Sequence, residues 1–102
     1  MITELTDSNK TTILSQQYVL LDVWSPDCPP CRTMHKVLED VDKIYPSITI
    51  AKLNCYDMMN YAIDLGVKSL PTFVLYKGGK EVFRWVGAKN KDSIIQILEQ
   101  YA

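Results

Sequence analysis

The hydrophobic pattern along this chain alternates between stretches typical of buried strands and stretches typical of amphipathic helices. Residues 18–24 form a nearly continuous apolar run rich in branched side chains, which is typical of a strand buried on both faces. Between Cys31 and Tyr45 apolar residues recur at spacings of three and four, which predicts a helix with one buried face, and Pro46 ends it. A buried strand therefore leads into an amphipathic helix through a short segment, residues 25–30.

The rest of the chain continues this alternation. The remaining predicted elements are strands at 2–5, 48–53, 72–76 and 81–86 and helices at 8–16, 58–65 and 91–101. Residues 77–80, Lys-Gly-Gly-Lys, predict a hairpin turn between the last two strands. Strands that alternate with helices and end in a hairpin indicate a mixed sheet with helices on both faces. The sequence predicts an α/β fold of about five strands and four helices.

Length and composition limit the kinds of protein that this chain can be. Its 102 residues predict one domain, residues 1–102, and 47% hydrophobic residues are ordinary for a globular fold. Eleven Lys and Arg against twelve Asp and Glu argue against a nucleic-acid surface. Three cysteines argue against a disulfide-stapled mini-protein and a four-cysteine zinc module.

The apolar runs also bear on location. The longest run, residues 18–24, is too short to span a bilayer, and the first ten residues lack the apolar stretch of a secretory signal. We therefore expect a cytoplasmic protein without a membrane partner. In that reducing compartment cysteines are more often catalytic or metal-binding than structural.

Cys28 and Cys31 flank two prolines where the buried strand gives way to the helix. At a helix N-terminus, unpaired N–H groups and the helix dipole favour the thiolate form of the first cysteine. The second lies one turn further on, close enough to form a disulfide with the first. Pro29 occupies a first-turn position, where its missing N–H costs no helical hydrogen bond. This arrangement predicts a redox-active cysteine pair.

Two other interpretations of the pair remain open from the residues alone. The cysteines could be small apolar core residues, although two intervening prolines are an odd choice for packing. They could also bind a metal with His35, which lies four residues beyond Cys31 on the same predicted helix. Cys55 is a further cysteine, interpreted as an apolar residue at a strand end, with a regulatory thiol as the alternative.

Asp22 is a lone carboxylate inside the predicted buried strand. Burying an ionised carboxylate without compensation costs several kcal/mol, so such a group is either satisfied locally or has a function. Lys52 shares the predicted inward face of its strand with Ile48 and Ile50. An inward lysine beside an inward aspartate suggests a coupled buried pair. We interpret Asp22 as a proton acceptor that serves the second cysteine.

Several landmarks occur in an order and spacing that resemble the thioredoxin family over residues 2–102. They are Asp22-Val-Trp24, Cys28-Pro-Pro-Cys31, Lys52-Leu-Asn54, Leu70-Pro71-Thr72, Lys77-Gly-Gly79 and Val86-Gly87-Ala88. The resemblance implies a thioredoxin fold, a central mixed sheet of up to five strands flanked by four helices. It also implies dithiol–disulfide exchange with protein substrates, without a cofactor.

The resemblance further assigns roles to individual residues. Cys28 is expected to be the attacking sulfur and Cys31 the resolving one, while Asp22 acts as buried base and Lys52 tunes it. It implies that Pro71 is cis and faces the disulfide, an isomer that sequence physics alone does not decide. The groove that takes the substrate is expected to be lined by Trp24, Asp27, Pro29, Leu70, Gly87 and Ala88. The expected electron donor is a reductase of the thioredoxin reductase type. The protein itself is expected to be a monomer.

The chain departs from the family pattern beside the first cysteine. Asp27 stands where the family usually has Trp, and Pro29 stands where it usually has Gly. A carboxylate next to Cys28 disfavours its thiolate and hence the reduced form, which predicts a reductant and a preference for basic substrates. Because the approach to Cys28 is altered, a partner-binding module on the same fold, or a disulfide isomerase, remains the alternative.

Overall fold

The computed structural model describes all residues from Met1 to Ala102 as one sheet covered by helices on both faces. The strands are β1 (Ile2–Glu4), β2 (Tyr18–Trp24), β3 (Thr49–Asn54), β4 (Thr72–Lys77) and β5 (Lys80–Val86). The helices are α1 (Lys10–Leu14), α2 (Pro29–Ile44), α3 (Met59–Asp64) and α4 (Lys91–Tyr101). The predicted α/β architecture of five strands and four helices is confirmed.

All predicted boundaries lie within two residues of the observed ones, and the largest difference in length is at α1. The sequence predicted a helix over 8–16, whereas α1 spans only Lys10–Leu14. The preceding residues form a separate turn in which Thr6 N–H donates to the Asn9 side-chain oxygen at 2.8 Å. None of the four helices combines the length and apolarity needed to cross a membrane.

The sheet has the order β1-β3-β2-β4-β5. β3 runs parallel to both β1 and β2, whereas β4 runs antiparallel to β2 and β5, so the sheet is mixed as predicted. In this topology β2, β3 and β5 end at the same end of the sheet at which β4 begins. We refer to it as the upper end, and the segments that leave it are neighbours in space although they are distant in sequence.

Two apolar clusters pack against the two faces of the sheet. One buries side chains of α1 and α3, and the other buries side chains of α2 and α4. Successive residues of β2 point to opposite faces, so Leu20 and Asp22 face α2 and α4 while Leu21 faces the other cluster. Asp22 is thereby placed inside an apolar layer.

Candidate active site

The upper end of the sheet brings together the segments that the sequence singled out. Val23 near the end of β2 pairs with Thr72 at the start of β4, and Thr72 also pairs with Val86 at the end of β5. The cysteine segment follows β2, Pro71 directly precedes Thr72, and Gly87 directly follows Val86. Cys55, which follows β3, donates its N–H to the Trp24 carbonyl at 2.9 Å.

Cys28 and Cys31 are joined by a disulfide at the N-terminus of α2, with their Cα atoms 5.2 Å apart. Cys28 is the N-cap residue, and Pro29 occupies the first helical position, as predicted. Cys28 is 9% exposed and Cys31 is fully buried. Of the two sulfur-bearing residues, Cys28 is therefore the one that a partner can approach.

The two prolines determine which helical N–H group faces the first sulfur. Proline carries no N–H, so the first donor of α2 is the backbone N–H of Cys31. That N–H donates to the Sγ of Cys28 at 3.3 Å. A backbone donor and the positive end of the helix dipole both stabilise negative charge on this sulfur. The local backbone is thus arranged to favour a Cys28 thiolate when the disulfide is reduced.

The loop before Cys28 is tied to the helix. Cys28 N–H donates to the Ser25 carbonyl at 3.3 Å, and the Arg32 guanidinium donates to the Pro26 carbonyl at 2.8 Å. Ser25 is buried, whereas Asp27 and Arg32 are exposed. The carboxylate of Asp27 therefore stands in solvent beside the cysteine pair, with the Arg32 guanidinium held at a loop carbonyl.

Asp22 is completely buried, and neither of its carboxylate oxygens has a hydrogen-bond partner. Phe73 on β4 and Lys52 on β3 flank it in register. Burial raises the pKa of the Asp22 carboxyl from 3.8 to about 7, and the positive charge of Lys52 lowers it only in part. A carboxyl with a pKa near neutrality can both accept and release a proton under physiological conditions.

Lys52 lies on the same face as Asp22, as predicted, but the two groups are not ion-paired. The structure has no Lys52–carboxylate pair with a nitrogen–oxygen distance within 4.0 Å. The Lys52 ammonium instead forms a hydrogen bond with Nδ1 of His35 on α2. Lys52 is half-buried, so the prediction that both partners are buried was wrong for the lysine. Its ammonium reaches an open cleft between the sheet and α2.

Pro71 is buried and follows a cis peptide bond from Leu70. Its carbonyl accepts a hydrogen bond from Gly87 N–H at 2.8 Å. Gly87 has φ +97°, a conformation that residues with a side chain rarely adopt. The segment before β4 and the segment after β5 are therefore joined at the upper end. Ala88 is exposed next to them.

An apolar groove of about 220 Å³ lies between this segment and α3. Leu70 lines it together with Ser25, Cys55, Tyr56, Met59, Ala62, Ile63, Val67, Lys68 and Ser69. Cys55 is buried within the apolar cluster of this face, as the apolar interpretation of this cysteine predicted. Trp24 is half-buried, and its ring lies edge-on against His35, with ring centres 4.8 Å apart. The substrate roles of Trp24 and Leu70 stay predictions.

The metal interpretation finds no support in the structure. No group of three or more His, Cys, Asp or Glu side chains is arranged to hold a metal ion. The sulfurs of Cys28 and Cys31 are bonded to each other, and Nδ1 of His35 is occupied by Lys52. His35 is half-buried, and its contact with Lys52 was not predicted from the sequence.

Comparisons with known proteins agree with the geometry. The Thioredoxin family model matches residues 1–100. A thioredoxin of Chlamydia caviae is 36% identical over 102 residues, covering 100% of both chains. A thioredoxin of Synechocystis is 36% identical over 88 residues, covering 85% of this chain and 82% of the relative. A chloroplastic M-type thioredoxin of Chlamydomonas reinhardtii is 35% identical over 97 residues, covering 93% of this chain and 69% of the relative.

Proposed function

The chain belongs to the thioredoxin family, and from this premise we propose that it reduces disulfides of protein substrates through Cys28 and Cys31. It is a thiol–disulfide oxidoreductase, since a bonded cysteine pair occupies the N-terminus of α2. That bonded pair is the observation that carries the function. The partner-binding module considered from the sequence is not favoured, because the redox pair is intact.

The proposed reaction begins with the reduced protein. The Cys28 thiolate attacks one sulfur of a substrate disulfide, forming a mixed disulfide, and the electron pair of the broken bond leaves with the second substrate sulfur. Cys31 then gives its proton to Asp22 and attacks Cys28. The new bond joins Cys28 to Cys31, and the remaining substrate sulfur departs as a thiolate. Two electrons have moved from the protein to the substrate.

The order of attack is supported by exposure and by the helix terminus. Cys28 is the more accessible of the two paired cysteines, and the backbone N–H of Cys31 stabilises the thiolate of Cys28. Cys31 is fully buried, so its natural target is an internal sulfur rather than an incoming disulfide. We therefore assign attack to Cys28 and resolution to Cys31.

Asp22 is proposed as the proton acceptor for Cys31, directly or through a water. Its burial, its unpaired oxygens and its pKa of about 7 support this role. Lys52, its register partner on β3, is proposed to tune it through the positive charge. The pKa of Lys52 is lowered by burial, and its surrounding carboxylates act in the opposite direction.

The substrate chain is proposed to bind at the upper end as an added strand, through backbone hydrogen bonds beside Pro71. Leu70, Gly87 and Ala88 would border it on one side and Pro29 and Asp27 on the other. The half-exposed surfaces of Leu70 and Gly87, and the groove next to Leu70, support this placement. Trp24, which is half-buried and packs against His35, is also proposed to line the substrate groove.

Residues 1–102 are proposed to act as one domain and one monomer, supported by a single sheet whose two faces are both covered. A thioredoxin reductase-type protein is proposed as the electron donor in the cytoplasm. No further cofactor is proposed, since the dithiol itself carries the two electrons.

Turnover of a protein disulfide tests the proposed function. The wild-type protein, kept reduced by dithiothreitol, should accelerate the reduction of insulin, and Cys28→Ser should remove the acceleration. Cys55→Ser is the matched control, because it removes a buried thiol outside the pair. Equal rates for wild type and Cys28→Ser would refute the proposal, and insulin binding without turnover would favour the binding module.

A further inference from the structure

His35 contacts Lys52, the lysine whose positive charge acts on the buried carboxylate of Asp22. It lies on α2, and its ring packs edge-on against Trp24. Nδ1 forms a hydrogen bond with the Lys52 ammonium. A neutral imidazole can accept a hydrogen bond at Nδ1 while Nε2 carries the hydrogen. Burial first, and then the positive charge of Lys52, lower the pKa of His35, which favours that neutral form.

Lys52 has an obvious alternative partner. It pairs in register with Asp22, on adjacent parallel strands, and both side chains point to the same face. Neighbouring strands are about 4.8 Å apart, which is well within the reach of a lysine side chain. The carboxylate is unpaired, yet no ion pair joins it to Lys52. The ammonium is directed to His35 instead.

The surrounding charges do not by themselves hold the lysine in place. Glu4 on β1 is the register partner of Lys52 from the other side, and Glu39 follows His35 by one turn on α2. Both carboxylates line a cleft of about 360 Å³ with His35 and Lys52. Neither forms an ion pair with Lys52, so the hydrogen bond to His35 is the one direct polar contact of its ammonium.

We propose that His35 is a positioning residue for the buried base: by holding the Lys52 ammonium at Nδ1, it keeps Asp22 unpaired and able to accept the proton of Cys31. This inference rests on the proposed role of Asp22. An ammonium in direct contact would favour the carboxylate and lower its pKa by about 1–3 pH units. Asp22 would then be a poorer acceptor for a thiol proton.

The test compares the pKa of Asp22 in the wild type, His35→Ala, His35→Asn, Lys52→Met and the double variant Lys52→Met/His35→Ala, measured in the oxidised state from the pH dependence of its carboxyl carbon resonance. His35→Ala should lower the pKa of Asp22 by about 1 pH unit or more, because Lys52 is released towards it. His35→Asn keeps an acceptor near the position of Nδ1 and should restore most of the wild-type value. In a Lys52→Met background, His35→Ala should have no further effect.

The Lys52→Met background separates positioning from simple hydration. If removing the imidazole only admitted water, His35→Ala would lower the pKa of Asp22 equally with and without Lys52, and the proposal would be wrong. An unchanged pKa in His35→Ala would also overturn it. The titration needs no turnover, so a negative result for His35 can be distinguished from a failure of the proposed catalytic role of Asp22. That role fails if Asp22→Asn resolves mixed disulfides at the wild-type rate at every pH.

Discussion

Gly87 donates its backbone N–H to the carbonyl of Pro71 at 2.8 Å, which joins the segment after β5 to the segment before β4. The two residues are 16 positions apart in sequence and border the proposed substrate site from the same side. Because Gly87 has φ +97°, this junction depends on a residue without a side chain. The shape of the site is thus set partly by a backbone conformation.

Gly87→Ala should weaken both the fold and substrate binding. No atom stands within 4 Å of an added Cβ, so the cost comes from the backbone conformation and should be about 1–3 kcal/mol. Gly78→Ala is the matched control, since Gly78 also has positive φ and open space but lies in the β4–β5 turn. Both variants should lose stability in urea, whereas only Gly87→Ala should raise the KM for insulin. Equal KM values would contradict the proposed role of Gly87.

Asp22→Asn should change how stability depends on pH. The folded-state pKa of Asp22, about 7, lies above its ordinary value of 3.8, so between these values the folded state binds more protons than the unfolded state. Ionisation of Asp22 therefore costs stability progressively as pH rises from about 4 to about 7. This gap corresponds to at most about 4 kcal/mol.

The measurement is urea unfolding of wild type and Asp22→Asn at several pH values. The variant should gain stability relative to wild type as pH rises from about 4 to about 8, by up to about 4 kcal/mol. If the buried amide of Asn costs stability independently of pH, it lowers the free energy of unfolding of the variant equally at every pH and leaves the pH dependence of the difference unchanged. A stability difference that does not change with pH would show that Asp22 titrates normally.

Asp22 should also determine how the rate of mixed-disulfide resolution depends on pH. Because only the ionised carboxylate accepts a proton, the rate at which Cys31 resolves the mixed disulfide should rise through a pH of about 7. Asp22→Asn should lose this inflection and resolve more slowly, by about 10²-fold at neutral pH, the lower end for loss of a general base. Stopped-flow measurement of product release from a preformed mixed disulfide would show it. An inflection retained in the variant would place the titrating group elsewhere.

Asp27 should influence both redox poise and substrate choice. Removing its charge in Asp27→Asn stabilises the Cys28 thiolate, so the reduction potential should rise, by roughly 10 mV because the carboxylate is exposed. Peptide disulfides flanked by Lys should lose about two- to fivefold in kcat/KM relative to Glu-flanked ones. Glu99→Gln is the control: Glu99 is exposed and follows Leu98, whose carbonyl accepts a hydrogen bond from Tyr18 at the start of β2, the end of the sheet away from the cysteine pair. A reduction potential of the wild-type Cys28/Cys31 couple above that of the glutathione couple would contradict the prediction that the protein is a reductant.

Much of the fold could be predicted because its elements follow strong local patterns. The bounds of β2 and α4 were predicted to the residue, since a continuous apolar run and a clear helical face leave little choice. That Asp22 and Lys52 point to the same face of the sheet also followed from strand alternation, whereas their direct register did not. The cysteine pair was recognisable because its chemistry requires a particular spacing at a helix start.

Other features depend on contacts that local patterns do not specify. The hydrogen bond between His35 and Lys52 requires the distance and rotation of α2 over β3, which only packing sets. The cis peptide before Pro71 could not be derived, because the two isomers of an X–Pro bond differ by only about 0.5–1 kcal/mol. The length of α1 depended on side-chain hydrogen bonds of Thr6 and Asn9.

In the proposed reaction Cys28 attacks the substrate and Cys31 resolves the mixed disulfide. Trapping tests it most directly: Cys31→Ser, incubated in its reduced form with a disulfide substrate, is digested and its cross-linked peptides are identified by mass spectrometry. We expect a stable adduct on Cys28, which should be absent when Cys28→Ser is treated identically. An adduct formed on Cys55 instead, or none at all while the wild type turns over, would contradict it.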